Sequence, residues 1–215
     1  PYSATRLERY SACAFAHFLQ YGLKLTERAE YEFRTMDMGN IMHKVLESLI
    51  KEVNKEKLSL AELSEEERDA LADRLVDTIS ADYGNTILKS SARNEYMIQR
   101  TKRMVRRTVW AIQKQLKSGE FEPEGVEVVF QGGRIDRVDT METDDGKLYV
   151  RVIDYKTGNT SFDLVSLYHG LQLQLMIYMD GALTVEQNKH KDKEVIPAGV
   201  FYYNIKDLMI QEKID

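Results

Sequence analysis

The sequence predicts an α/β chain in which a helical first half leads into a small sheet. Up to Lys117 the apolar residues recur at helical spacing. From Val126 onward three segments alternate with a period of two, and one helical segment then precedes a last strand. The third of these strands, LYVRVIDYK at 148–156, is unusual. Alternation puts Leu148, Val150, Val152, Asp154 and Lys156 on one side, so an apolar face ends in a carboxylate and an amine.

Ser3 or Thr5 caps a first helix whose Leu7, Tyr10, Ala14, Phe15 and Phe18 fall at helical spacing, and Gly22 ends it. Cys13 lies within that pattern, where a lone cysteine reads as a small buried hydrophobe. A second helix starts near Asp37 and carries Met42, Val45, Leu46, Leu49 and Val53. His43 stands at the margin of this stripe, above Glu47, and alone reads first as a packed or surface residue.

Residues 51–57 are charged and read as a loop, after which Ser64 and Glu67 form a capping box for a third helix bearing Leu71, Leu75 and Ile79. Tyr83, Gly84 and Asn85 break that helix, and a fourth runs from about Asn94 to Lys117. Its buried side is Met97, Met104, Thr108, Ile112 and Leu116, while Arg100, Arg103, Arg106, Arg107, Lys114 and Lys117 crowd the other. Two readings of the cationic face are open: a solvated surface, or a path for a phosphate backbone.

Gly119 and Pro123 close the helical half, and strands follow at 126–130, 134–139 and 148–156. The Asp144-Asp145-Gly146 turn makes a hairpin of the last two. After the Gly158-Asn159 turn, Ser161 or Asp163 caps a helix reaching about Leu183. Leu164, Leu167, Leu171, Leu175 and Tyr178 form its apolar side, and Gln174 lies one turn before Tyr178. A charged loop at 186–194 and a strand at 198–205 complete the order.

The 215 residues suit one domain: a helical segment at 1–36, a first core helix and loop at 37–57, inserted helices at 58–119, and the sheet with its core helix at 120–215. Both ends look cut, because the chain opens on a helix and stops on the polar run QEKID after a strand, so a fragment of a larger protein is expected. Thirty Lys and Arg against 35 Asp and Glu give a net charge of −5, which argues against nucleic-acid binding by the whole surface and leaves room for a local basic groove. A single cysteine excludes an internal disulfide, and no apolar run approaches the ~18 residues of a membrane span. With no secretory signal visible, the cytoplasm is the simplest compartment and no membrane partner is expected.

Asp154 and Lys156 could pair as a solvated strand end, or face a divalent cation and a phosphate. Asp136, in GRIDRVD, adds a second carboxylate on the neighbouring strand. Two carboxylates and a lysine at one sheet edge suit metal-assisted phosphodiester hydrolysis. The carboxylates offer hard oxygen ligands to Mg²⁺ or Mn²⁺, the metal polarises the phosphate, and the lysine orients water or offsets developing charge.

The set GNIMHKVLE, GRIDRVD, VIDYKTG and GLQLQLMIYMD resembles the RecB-like branch of the PD-(D/E)xK nuclease superfamily. With SATRLERYSACAFAHFLQYGLKL and PAGVFYYNI it is most similar to the C-terminal nuclease domain of the AddB (RexB) component of AddAB (RexAB) helicase-nucleases, over nearly the whole chain. The resemblance implies a restriction-endonuclease-like αβββαβ core with a helical insertion between its first helix and the sheet. It implies a metal-dependent DNA exonuclease in break repair and recombination, acting on single-stranded ends beside an AddA-like (RexA-like) helicase partner. By the same resemblance His43, Asp136 and Asp154 are metal ligands, Tyr155 a carbonyl ligand and Lys156 the catalytic lysine. Gln174 and Tyr178 match the family's Q-x-x-x-Y, and Arg100, Arg103 and Arg107 would guide the strand.

Members of the branch often hold a 4Fe–4S cluster on one early and three late cysteines. Cys13 matches the early position, and the late ones are absent from this sequence. The link at 130–133 is also shorter than in relatives. Two alternatives stand beside the exonuclease reading: a catalytically silent DNA-binding or docking module, and a stand-alone CRISPR-associated RecB-like exonuclease.

Overall fold

The sheet is made of β1 (Glu122–Phe130), β2 (Gly133–Glu142), β3 (Lys147–Lys156) and β4 (Glu194–Asn204), in that spatial order. The structure is a computed structural model that describes residues 3–25, 35–82 and 92–206. Two antiparallel hairpins build β1–β2–β3, the first closing tightly with Phe130 paired to Gly133. The second turns at the predicted Asp144-Asp145-Gly146, where the Gly146 N–H donates to Thr143 O at 2.9 Å and Gly146 takes φ of 78°, a left-handed conformation that suits glycine. The helices are α1 (Ala4–Ala12), α2 (Ala14–His17), α3 (Thr35–Lys55), α4 (Glu65–Asp82), α5 (Ala92–Lys117), α6 (Leu164–Tyr168) and α7 (Gln174–Lys189). Among the described residues no helix is long and apolar enough to cross a membrane.

The chain divides into two compact units. The first comprises Pro1–Glu32, Ser118–Asp154 and Ser161–Tyr202; the second comprises Phe33–Lys117, Tyr155–Thr160 and Tyr203–Asp215. In the first, α7 lays Met179 and Ala182 on Ile135, Val138, Val150 and Val152 of the sheet, with Val128, Phe130 and Tyr178 at the margin. Gly181 of α7 sits against the Phe130 ring, so any side chain there would displace that ring. Arg137 and Asp139, both 0% exposed, form a buried ion pair at 2.5 and 2.7 Å, and Arg151 joins it at 2.6 Å while its guanidinium lies 4.4 Å from the Phe121 ring centre.

In the second unit, α3 buries Met42, Val45, Leu46, Leu49 and Val53, the stripe predicted for it. The predicted capping box opens α4: the Glu67 N–H donates to Ser64 Oγ at 3.2 Å and the Ser64 N–H to Glu67 Oε2 at 3.0 Å. Gln113 of α5 ties the chain before α4 to its helix, donating to the Leu60 and Leu63 carbonyls at 3.0 and 2.7 Å while accepting from Arg68 at 2.9 Å.

Four expectations need correction. Residues 51–55 continue α3 instead of forming a loop, since Val53 is needed in the apolar stripe. The first predicted helix breaks at Cys13, whose extended backbone (φ −163°, ψ 107°) ends α1 and caps α2; a π-helical turn, Phe18–Gly22, follows. Cys13 itself is exposed, not a buried hydrophobe, and its Sγ accepts from the Ala16 N–H at 3.5 Å. The helix predicted from Ser161 or Asp163 to Leu183 is two helices: Asp163 caps only α6, and Gly170 at φ 72° marks the break before α7, which runs on to Lys189 through the first part of the predicted loop. Tyr10, Phe15, Phe18, Leu164 and Leu171 are accordingly exposed where the stripes placed them inside. The predicted break at Tyr83, Gly84 and Asn85 and the QEKID run lie outside the described residues.

Candidate active site

Strand register assembles the carboxylates. In β2–β3 Arg137 pairs with Ile153 and Val138 with Val152, and one more step of the same register sets Asp136 across from Asp154. In β1–β2 Val126 pairs with Arg137 and Val128 with Ile135, which sets Glu127 across from Asp136. Carboxylate oxygens of Glu127 and Asp136 lie within 4.8 Å of each other. Three acids thus form a row over three adjacent strands, with Asp154 only 2% exposed and the other two half-buried. Burying like charges side by side costs free energy unless a cation or a proton offsets them, so this row is a site for positive charge.

Glu127 was not among the residues singled out from the sequence. Its backbone takes φ of 52°, uncommon for a non-glycine residue, and the Arg134 guanidinium pairs with it at 2.8 Å. The signal was present: a charged residue between Val126 and Val128, and a hairpin closing at 131–132 whose register leads directly to Asp136.

Two tyrosines report the field of these acids. The Gln174 side-chain amide donates to the Tyr178 hydroxyl at 2.9 Å, so the predicted pair does lie on one face, and the Gln174 backbone N–H donates to Glu8 Oε1 at 3.0 Å. Burial pushes the Tyr178 hydroxyl above its ordinary pKa, the Gln174 bond opposes this, and the charges of Asp154, Asp136 and Glu8 add to the rise. Tyr202 is pushed up to about 12, by burial first and then by Asp154, Glu8 and Tyr178. Burial is the larger cause at both phenols, and the acids add to it with the sign that would favour a cation.

His43, Tyr155, Lys156 and the predicted arginines belong to the second unit. His43, half-buried on α3, sets its ring edge-on to Tyr155 with centroids 6.1 Å apart, and Tyr155 in turn meets Tyr203 at 5.7 Å. Lys156, half-buried, follows on β3 two residues after Asp154, and its carbonyl accepts from the Ile205 N–H at 2.8 Å. Glu47, one turn after His43, is clasped by Lys44 at 2.8 Å and Lys51 at 2.5 Å. Burial alone would raise its pKa, but the two lysines hold it below the usual carboxylate range.

The arginine helix divides by partner. Arg106 pairs with Asp73 and Lys102 with Asp77 at 2.7 Å, both across to α4, so part of the cationic face is neutralised by acids that are distant in sequence. Arg103 lies 6.0 Å from the Tyr96 ring centre, Arg100 is half-buried, and Arg107 is exposed.

For the implied metal the donor set fits: hard carboxylate oxygens in a row within a negative field suit Mg²⁺ or Mn²⁺. For an iron–sulfur cluster the fit is partial, because Cys13 offers one exposed thiol and this sequence has no second cysteine. A second acid–histidine cluster, Glu124, Glu186 and His190, is served instead by Lys189, whose ammonium lies 2.8 Å from Glu186 and 3.6 Å from Glu124.

Comparison with known proteins identifies the family. The family model of the PD-(D/E)XK nuclease superfamily matches residues 1–214. The B-type component of the ATP-dependent helicase/deoxyribonuclease of Lachnoclostridium phytofermentans is 47% identical over 97% of this chain and 19% of its own length. Its namesakes from Alkaliphilus metalliredigens and Caldanaerobacter subterraneus are 37% and 38% identical over 97% and 100% of the chain and 20% of their own length. The chain therefore spans about a fifth of these curated relatives. Together with the sheet and the D…D-x-K spacing on β2 and β3, these matches establish that the chain belongs to the PD-(D/E)XK nuclease superfamily.

Proposed function

We propose that the chain is the metal-dependent deoxyribonuclease module of a helicase-nuclease, removing nucleotides from single-stranded DNA ends during break repair beside an AddA-like helicase partner. The observation that carries the reading is the carboxylate row, Asp136 across from Asp154 with Lys156 two residues further along β3. The names of the relatives support DNA as the polymer and a helicase as the companion activity.

In this reading Asp136 and Asp154 are the principal metal ligands, Glu127 adds a carboxylate from β1, His43 adds an imidazole, and the Tyr155 carbonyl contributes an oxygen. Mg²⁺ or Mn²⁺ there supplies Lewis acidity to the scissile phosphate and to the attacking water. The Lys156 ammonium orients that water and offsets charge building on the phosphate oxygens. Gln174 donates to the Tyr178 hydroxyl and holds it in place, so that its O–H can donate toward a phosphate oxygen. Arg100, Arg103 and Arg107 steer the backbone by charge.

An end-labelled single-stranded oligonucleotide incubated with the chain and Mg²⁺, Mn²⁺ or EDTA tests this, alongside Asp154→Ala and Lys156→Ala. Metal-dependent degradation that both substitutions abolish is the expected result. Degradation that survives EDTA or either substitution refutes the assignment. The same assay on a matching RNA decides the polymer, and mass analysis of early products separates stepwise end removal from internal cutting.

A further inference from the structure

The position of Trp110 is not explained by packing. On α5, Met104, Val105, Thr108, Val109 and Ile112 are buried, as an amphipathic helix requires, yet Trp110 leaves 46% of its surface exposed. A large ring half in water gives up burial that the other apolar residues of the helix obtain. Trp110 and Arg107 line one wall of a groove of about 290 Å³, and Tyr203, Asn204, Ile205 and Lys206 line the other.

The charge of this groove differs from that of the chain. Among the described residues the lining holds two cations and no carboxylate, in a chain of net charge −5. Arg106 and Lys102, close by on the same helix, are paired with Asp73 and Asp77. Neither Arg107 nor Lys206 has a carboxylate partner among the described residues. The far wall is held firmly: the Asn204 side chain donates to Thr160 O at 2.7 Å and accepts from the Thr160 N–H at 3.1 Å, and the Ile205 N–H bonds Lys156 O at 2.8 Å. The groove is thus joined by a backbone hydrogen bond to the residue that carries the D-x-K lysine.

We infer that this groove is a subsite for a single-stranded nucleic acid, with one unpaired base stacked on Trp110 and flanking phosphates held by Arg107 and Lys206. A flat aromatic surface sharing one groove with two cations matches the alternation of base and phosphate along a strand, and stacking on a base face requires that the base be unpaired. An acidic peptide or a sulfated polysaccharide would satisfy the cations and leave the ring unused. The inference rests on the nuclease reading for the choice of polymer, and it adds residues that lie outside the carboxylate site.

Trp110 is the chain's single tryptophan, so its emission reports on this groove alone. A titration of the chain with a dT₁₂ oligonucleotide in EDTA and low salt should give saturable quenching, and Asp154→Asn should leave that quenching in place. In anisotropy measurements with labelled dT₁₂, Trp110→Phe should weaken binding by roughly five-fold or more. Arg107→Ala with Lys206→Ala should weaken it at least ten-fold and lower the slope of log affinity against log salt by about 1.4, at about 0.7 per lost phosphate contact. Binding without quenching, variants that bind like the unaltered chain, or equal quenching by heparin or by duplex DNA would each overturn the subsite. The two readings fail separately: cleavage without quenching removes the groove and keeps the nuclease, whereas quenching without cleavage does the reverse.

Discussion

Two aspartates of one heptapeptide, GRIDRVD, should fail in opposite ways. Asp139 is fully buried and accepts four hydrogen bonds, from Arg137 at 2.5 and 2.7 Å and from Arg151 at 2.6 and 3.2 Å. Asp139→Asn leaves two guanidinium groups facing a neutral amide, with Arg137 0% exposed. Removing one partner of a buried pair costs about 3–5 kcal/mol, a large share of the roughly 5–15 kcal/mol that holds a protein folded. With a urea slope of about 2–3 kcal/mol per M, the midpoint should fall by roughly 1–2.5 M at unchanged slope. Asp136 lies across from the buried carboxylate of Asp154, so Asp136→Asn relieves repulsion between like charges. Its midpoint should hold or rise, while metal-dependent hydrolysis is lost. Urea unfolding followed by far-UV circular dichroism, beside the oligonucleotide assay, measures both. A midpoint shift below about 0.5 M for Asp139→Asn, or an equal loss of stability in Asp136→Asn, would refute the division of roles.

Glu127→Gln should weaken Mn²⁺ binding by roughly ten-fold in calorimetric titration, the order expected when a supporting carboxylate is replaced by a neutral amide; unchanged affinity would remove Glu127 from the ligand set. Ser64→Ala should cost about 1 kcal/mol in urea unfolding through loss of the α4 cap, and Ser64→Asp should restore most of it. Tyr202 ionises at about 12 in the folded chain against an ordinary value near 10, so the unfolded chain gives up this proton first. The stability it contributes is therefore complete below pH ~10 and is lost as pH rises toward about 12. Absorbance titration at 295 nm should show Tyr202 among the late-ionising phenols, and Asp154→Asn should shift it earlier.

What the sequence revealed and what it hid follow from distance along the chain. The Asp136, Asp154 and Lys156 set was legible because it needs only strand alternation and one hairpin, both local rules. The Ser64 and Glu67 box was legible for the same reason. Hidden features depended on other elements. That Arg106 is paired could not be seen without knowing that α4 brings Asp73 beside α5, thirty-three residues away. That Phe15 and Leu164 are exposed could not be seen because helical spacing shows that a stripe exists, and does not show what covers it. The breaks at Cys13 and Gly170 interrupt patterns whose periodicity continues on both sides, so they leave no gap to detect.

The carboxylate row also bears on the order of assembly. Glu127, Asp136 and Asp154 fall within 28 consecutive residues and are brought into line by nearest-neighbour hairpins. Such contacts close cheaply and early, because each loop is short. During synthesis these acids can be aligned before the ribosome has released α7, whose Tyr178 later takes up its place in their field. Damage to α7 should then remove the Gln174 and Tyr178 pair from over the acids without scattering the acids themselves, so the loss of a substrate contact and the loss of the metal site become separable events.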